Sequence, residues 1–137
     1  QTIIHHRMGI KIFLINNQGY HSIRQTQKNF FGEPLVGIGA DSGDLSFPDM
    51  EKLAAAYGYP YVVAHHNEEV AGAVEKTLAM DGPVICEFYV TTDQNFEPKS
   101  SAKRLPDGTL VSPPLEDLSP FLPDEEMDKL MIIPRIK

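Results

Sequence analysis

The sequence has no tryptophan and only one cysteine in 137 residues. A lone Cys86 can form no disulfide within the chain, so the small disulfide-stapled secreted domains are excluded. It lies in the apolar run Pro83-Val84-Ile85-Cys86-Glu87-Phe88 and reads as a small buried hydrophobe rather than a nucleophile. No apolar stretch approaches the ~20 residues needed to span a bilayer. His5, His6 and Arg7 interrupt the opening apolar residues, so there is no signal-peptide pattern. Basic residues are scarce, with 12 Lys and Arg against 19 Asp and Glu and a net charge of -7. A nucleic-acid partner calls for clustered cations and is excluded on that ground. These absences point to a cytoplasmic chain with no membrane partner.

Metal motifs are also missing. His5-His6 and His65-His66 have no spaced Cys or carboxylate partners, and neighbouring residues on a helix do not share a face. Asp41, Asp44 and Asp49 lack the alternation of a calcium loop and read as a solvated acidic segment. There is no repeat and no low-complexity tract. What remains is 42% hydrophobic residues, enough for one domain's core. The opening Gln1-Thr2-Ile3-Ile4-His5-His6-Arg7-Met8 carries no helix-start signal, and Gly9 would stop a helix. The chain is therefore expected to begin inside an element of something longer.

Ile10–Ile15 is short, apolar and rich in β-branched residues, as a buried parallel strand should be. Asn16-Asn17-Gln18-Gly19 reads as a turn, Tyr20 to Phe31 as a helix, and Phe31 to Phe47 as a glycine-rich loop. Pro48 opens a helix over Asp49–Tyr57 with Met50, Leu53, Ala54 and Tyr57 on its apolar face and Gly58 as its stop. Tyr61–Ala64 is a second strand. Asn67 can cap a helix from Glu68 to Met80, lined by Val70, Ala73, Val74, Thr77 and Leu78, with Glu69 and Glu75 solvated. Pro83–Val90 is a third strand. This alternation predicts an α/β fold, a parallel sheet with helices on both faces. Seven of the eleven prolines follow Thr91. That region reads as an extended Pro-rich tail with one turn at Pro106-Asp107-Gly108 and a helical stretch over Asp124–Met131. The tail suits a lid or a wrap around a neighbouring subunit.

Ligands of open parallel sheets bind beyond the C-terminal strand ends. Asn16-Asn17-Gln18-Gly19 sits at such an end. A side-chain amide there offers a neutral oxygen to a hard cation, glycine lets a backbone carbonyl turn the same way, and the next helix aims N–H groups at an anion. From the residues alone, this is either a bare turn or a site for a metal-bridged diphosphate.

Ile15-Asn16-Asn17-Gln18-Gly19-Tyr20 resembles the second half of the thiamine diphosphate motif, which begins in Gly-Asp-Gly and ends in Asn-Asn. Gln1–Arg7 resembles that family's linking helix, Phe47–Gly58 its next helix, and Gly82–Val90 its last strand. The similarity runs over about residues 1 to 90, most of all to acetolactate-synthase-like proteins. It implies two parts, 1–90 a partial thiamine-diphosphate-binding domain and 91–137 a C-terminal extension.

The resemblance implies that Asn17 and the Gly19 carbonyl are Mg²⁺ ligands, and that Tyr20, His21, Ser22 and Ile23 form the loop whose backbone packs against the diphosphate. Arg24 could meet a substrate carboxylate, alongside His21, or could be a surface arginine. The implied activity is decarboxylation of a 2-oxo acid, with ligation of the product to a second carbonyl, in a homo-oligomer. Simple decarboxylation or a non-catalytic binding or assembly module are the alternatives. The departure is that no Gly-Asp-Gly is present, and Gly43-Asp44 is not followed by glycine. The acidic metal ligand is therefore missing. The resemblance also implies that the glutamate that activates the thiazolium ring belongs to another domain and that the aminopyrimidine region is absent, so no catalytic residue is assigned and this chain alone is expected to be inactive. Asp41 and Asp44 are the first suspects for a substitute carboxylate.

Overall fold

The computed structural model describes residues 1–135. It divides into two compact units, the first Gln1–Gln94 and the second beginning at Asn95.

The first unit is α/β. Strands β1 (Lys11–Asn16), β2 (Tyr61–Ala64) and β3 (Val84–Tyr89) form a parallel sheet in the order β1-β3-β2. It is flanked by helices α1 (Thr2–His5), α2 (His21–Phe30), α3 (Met50–Tyr57) and α4 (Asn67–Ala79). The parallel sheet and the three strands stand where the apolar runs put them. Val62, Ala64, Ala73, Val84 and Cys86 make the core, with Met80 and Phe88 packed against it. Cys86 is wholly buried, as a small hydrophobe should be.

Helix boundaries differ from expectation by one residue, for identifiable reasons. Asp49 lies outside α3 as its N-cap, its Oδ1 accepting from the Lys52 N–H at 2.9 Å. Gly58 ends α3 in the left-handed region at φ 75°. In α4 the cap is His66, not Asn67. Glu69, expected only to be solvated, reaches back to accept from the backbone N–H of His65 (2.7 Å) and His66 (3.2 Å). Those two bonds hold its carboxyl below the usual range. The apolar faces of α3 and α4 are also narrower than expected. Small Ala54, Ala73 and Thr77 are buried, while Leu53, Tyr57, Val70 and Leu78 remain exposed. A sheet of three strands is too narrow to cover a broad helix face.

Strand β1 has β3 as its partner on one side and, among the described residues, none on the other. Its Phe13 and Ile15 are 40% and 56% exposed.

The second unit has the expected turn and helical stretch, and the rest, expected to be extended, folds on itself. β4 (Lys103–Arg104) and β5 (Leu110–Val111) pair antiparallel across the turn at Pro106-Asp107-Gly108. Asp107 Oδ1 accepts from the Thr109 N–H at 2.9 Å, and Gly108 takes φ 87°. Helix α5 (Asp124–Leu130) buries Met127, and Arg135 pairs with Asp124 at 3.0 Å and Asp128 at 3.5 Å. Lys103 meets Asp117 at 3.6 Å and lies over the Phe121 ring.

Candidate functional site

Strand β1 delivers the chain to the C-terminal end of the sheet, and two amides then shape the turn. Asn16 Oδ1 accepts from the Gln18 N–H at 2.9 Å and Asn17 Oδ1 from the Gly19 N–H at 3.3 Å, two successive Asx turns. Gln18 takes φ 55°, which few residues other than glycine adopt. Asn17 is half-buried and outside the core. A cavity of about 170 Å³ opens here, lined by Asn16, Asn17, Gly19, Phe47, Pro48 and Met50 among others. The Tyr20 ring meets Phe47 edge-on at 5.9 Å.

Gly19 forms an antiparallel bridge with Gly39, and the Tyr20 N–H donates to the Ile38 carbonyl at 2.7 Å. In this bridge geometry the bonds run through the residues flanking the pair, so Gly19's own carbonyl points away from the 38–40 segment. A Cβ on Gly19 would lie within 3.0 Å of the Ile38 carbonyl oxygen and of Arg24 Nη2.

The segment Tyr20, His21, Ser22 and Ile23, a loop by the family resemblance but helical by the residue pattern, is the start of a helix. Tyr20 is the N-cap of α2, and the other three form its first turn. The backbone turns helical at once because the Arg24 N–H already bonds the Tyr20 carbonyl at 2.9 Å. No side chain caps this end, and no acidic residue occupies the first turn. An uncapped helix N-terminus presents N–H groups and a positive dipole end to an anion. Tyr20, Ser22 and Ile23 are exposed, whereas the His21 ring is buried, with Nε2 against the Gln94 carbonyl.

Arg24 departs from both earlier readings. It is neither at the surface nor open to a substrate, being 1% exposed and bound to a carboxylate of its own chain. Nε donates to Asp41 Oδ2 at 2.9 Å and Nη2 to Asp41 Oδ1 at 3.1 Å, a two-pronged pair. Nη1 reaches the Asn17 carbonyl at 3.2 Å and His21 Nδ1 at 3.0 Å, and Nη2 reaches the Gln18 carbonyl at 3.3 Å. The bond from Arg24 holds the Asp41 carboxyl below its usual range. Asp44 accepts from the Ser42 hydroxyl and from the Gly37 N–H at 2.9 Å, and these bonds, the first above all, hold its carboxyl low as well. Both suspects for a substitute metal ligand are thus committed to other partners. Among the described residues, no three His, Cys, Asp or Glu side chains gather to hold a metal.

Glu87 was overlooked in the sequence, although a lone charge inside the apolar run Pro83–Phe88 was a visible sign. It is 1% exposed in the central strand, accepting from Asn16 Nδ2 at 2.6 Å and from the Tyr61 hydroxyl. Burial, then the bond and charge of Glu87, push the Tyr61 phenol well above its ordinary value. His65 stacks on Tyr89 at 4.7 Å beside this group.

A parallel sheet whose first strand ends in an amide-lined turn and an uncapped helix defines an α/β domain of the kind that binds ligands at strand ends. Residues 1–88 match the family described as thiamine pyrophosphate enzyme, C-terminal TPP binding domain, and the chain belongs to that family. It is 29% identical over 97 residues to the acetolactate synthase large subunit of Cyanidium caldarium, covering 71% of this chain and 16% of that protein. It is 27% identical over 101 residues to the chloroplastic acetolactate synthase 2 of Nicotiana tabacum, covering 71% of this chain and 15% of the relative. It is 28% identical over 118 residues to the large subunit of acetolactate synthase isozyme 2 of Escherichia coli, covering 86% and 20%. The chain thus spans about a sixth of the length of the curated relatives it matches first. No helix among the described residues is long and apolar enough to cross a membrane.

Proposed function

We propose that this chain forms the metal-side half of a thiamine-diphosphate site in an acetolactate-synthase-like enzyme, which decarboxylates a 2-oxo acid and joins the product to a second carbonyl. The observation that carries this reading is the Asn16–Gly19 turn beyond β1, set beside the uncapped start of α2. The donor set fits Mg²⁺: the Asn17 amide oxygen and the Gly19 carbonyl are hard neutral oxygens. The main chain of Tyr20, His21, Ser22 and Ile23 fits a diphosphate at a helix N-terminus. Thiamine diphosphate supplies, when bound, the electron sink for loss of CO2.

This chain's own part is placement. Asn17 and Gly19 orient the cation, and α2 holds the anion beside it. Both protein ligands are neutral, so the balancing carboxylate comes from a Gly-Asp-Gly segment outside these 137 residues. The bare edge of β1 supports a homo-oligomer or a neighbouring segment beside it. Parts 1–90 and 91–137 serve as the cofactor domain and a C-terminal extension. The single buried Cys86 suits a reducing cytoplasm.

Product analysis tests the activity. A protein carrying this segment together with the Gly-Asp-Gly half and the domain that supplies the activating glutamate and the aminopyrimidine region is given a 2-oxo acid, Mg²⁺ and thiamine diphosphate. CO2 with a branched 2-hydroxy-3-oxo acid is the expected result. Aldehyde alone would make it a simple decarboxylase, and no product would favour a binding or assembly module.

A further inference from the structure

We infer that Arg24, held by Asp41, is the positioning residue of the Asn17–Gly19 turn. This rests on the reading of that turn as the metal-diphosphate half-site.

A guanidinium has five N–H donors in a fixed fork. Arg24 directs them at five acceptors: two oxygens of Asp41, the Asn17 and Gln18 carbonyls, and His21 Nδ1. No donor is left over for a substrate. Because His21 Nδ1 accepts, the His21 proton sits on Nε2, which donates to the Gln94 carbonyl. One buried side chain therefore ties together the turn, the first turn of α2 and the Ala40–Ser42 segment.

The carbonyls it takes are informative. Asn17 and Gln18 turn theirs inward to Arg24, while the bridge to Gly39 leaves the carbonyl of Gly19 directed away. Gln18 sits at φ 55°, a conformation the chain adopts only under constraint, and Arg24 grips its carbonyl. Arg24 thereby separates the one carbonyl proposed to face the metal from the two beside it. Asp41 contributes the counter-charge and fixes the plane of the fork. Lysine cannot replace the arginine here, since one ammonium has three donors and no plane to match a carboxylate and two carbonyls together.

The test uses the full chain as wild type, Arg24→Lys and Asp41→Asn, read by residue-resolved amide NMR with Mg²⁺ plus thiamine diphosphate as the probe. In both variants the β2 and β3 amides should keep their shifts, showing an intact sheet. The Tyr20 amide, which donates to Ile38, should lose hydrogen-exchange protection, and the Gly19 signal should move. The dissociation constant for the probe should rise about tenfold or more, as when a partner behind a metal ligand is removed, with the larger change in Arg24→Lys. A purely structural role would lower the melting temperature and leave that constant unchanged. If Arg24→Lys does not fold, the milder Asp41→Asn carries the comparison. Wild-type values for Tyr20 protection and the Gly19 shift in both variants would overturn the inference. No response of wild-type residues 17–23 to the probe would instead defeat the reading of the site, with Tyr20 protection still deciding the role of Arg24 in the turn.

Discussion

Gly19 and Gly39 face each other in a bridge with no room for a side chain on either: a Cβ on Gly19 would strike the Ile38 carbonyl, and one on Gly39 the Gln18 carbonyl. Both obstacles are backbone, which cannot swing aside as a side chain can. Gly39→Ala is therefore expected to cost about 1–3 kcal/mol, the usual range for overpacking. Gly72, inside α4, has nothing within 4 Å of its would-be Cβ. Gly72→Ala should stabilise by about 0.4–1 kcal/mol through helix propensity and a less flexible unfolded chain. Denaturant unfolding of the two variants gives the comparison.

Asn16 and Tyr61 both depend on Glu87, a buried carboxylate at the centre of the sheet. Glu87→Leu leaves the Asn16 amide and the Tyr61 hydroxyl without their acceptor and should cost about 1–3 kcal/mol. Glu87 and Asn16 touch, so a double-mutant cycle with Asn16→Ala should show coupling rather than additivity.

The Tyr61 phenol gives the same contact a pH signature. Its proton is held above the ordinary value of 10.0 in the folded chain, while the unfolded chain releases it at that value. Its contribution to stability is therefore complete below about pH 10 and is lost as pH rises toward the folded-state value. Ultraviolet absorbance of phenolate should show one tyrosine titrating late in the wild type. In Glu87→Leu that tyrosine should titrate earlier.

At the acid end the sign reverses. Arg24 depresses the Asp41 carboxyl below 3.8. The stability this lends is present above the unfolded value and is lost as pH falls through the lower folded one. Carbon-detected NMR of the Asp41 carboxyl should show it titrating below ordinary aspartates and returning to their range in Arg24→Lys.

Much of the fold was legible because buried strands write themselves as apolar runs, and Ile10–Ile15, Tyr61–Ala64 and Pro83–Val90 did so. The turn was legible through its two asparagines. The network behind it was not. Arg24 and Asp41 are separated by a glycine-rich loop whose path no hydrophobic period reveals, so a surface arginine and a solvated aspartate looked equally natural. Gly39 was one glycine among several in that loop until its neighbour across the bridge was known. Val70 and Leu78 obeyed helical spacing, yet the spacing could not say how many strands would lie beneath them.

The bare edge of β1, with Phe13 and Ile15 exposed, should pair with a second copy when the chain is alone. Sedimentation over a wide concentration range should show reversible association in the wild type and less of it in Ile15→Lys. A clean monomer at high concentration would count against this.

The central claim concerns where the cofactor touches this chain. Titrating the wild-type chain with Mg²⁺ and thiamine diphosphate, followed by amide NMR, tests it most directly. The neutral ligands Asn17 and Gly19 lack a balancing carboxylate, so binding should be weaker than about 1 mM, roughly -4 kcal/mol. The shifts should concentrate at Asn17 and at Gly19, Tyr20, His21, Ser22 and Ile23, and should vanish in Asn17→Ala. Shifts centred elsewhere, or shifts that survive Asn17→Ala unchanged, would contradict the account.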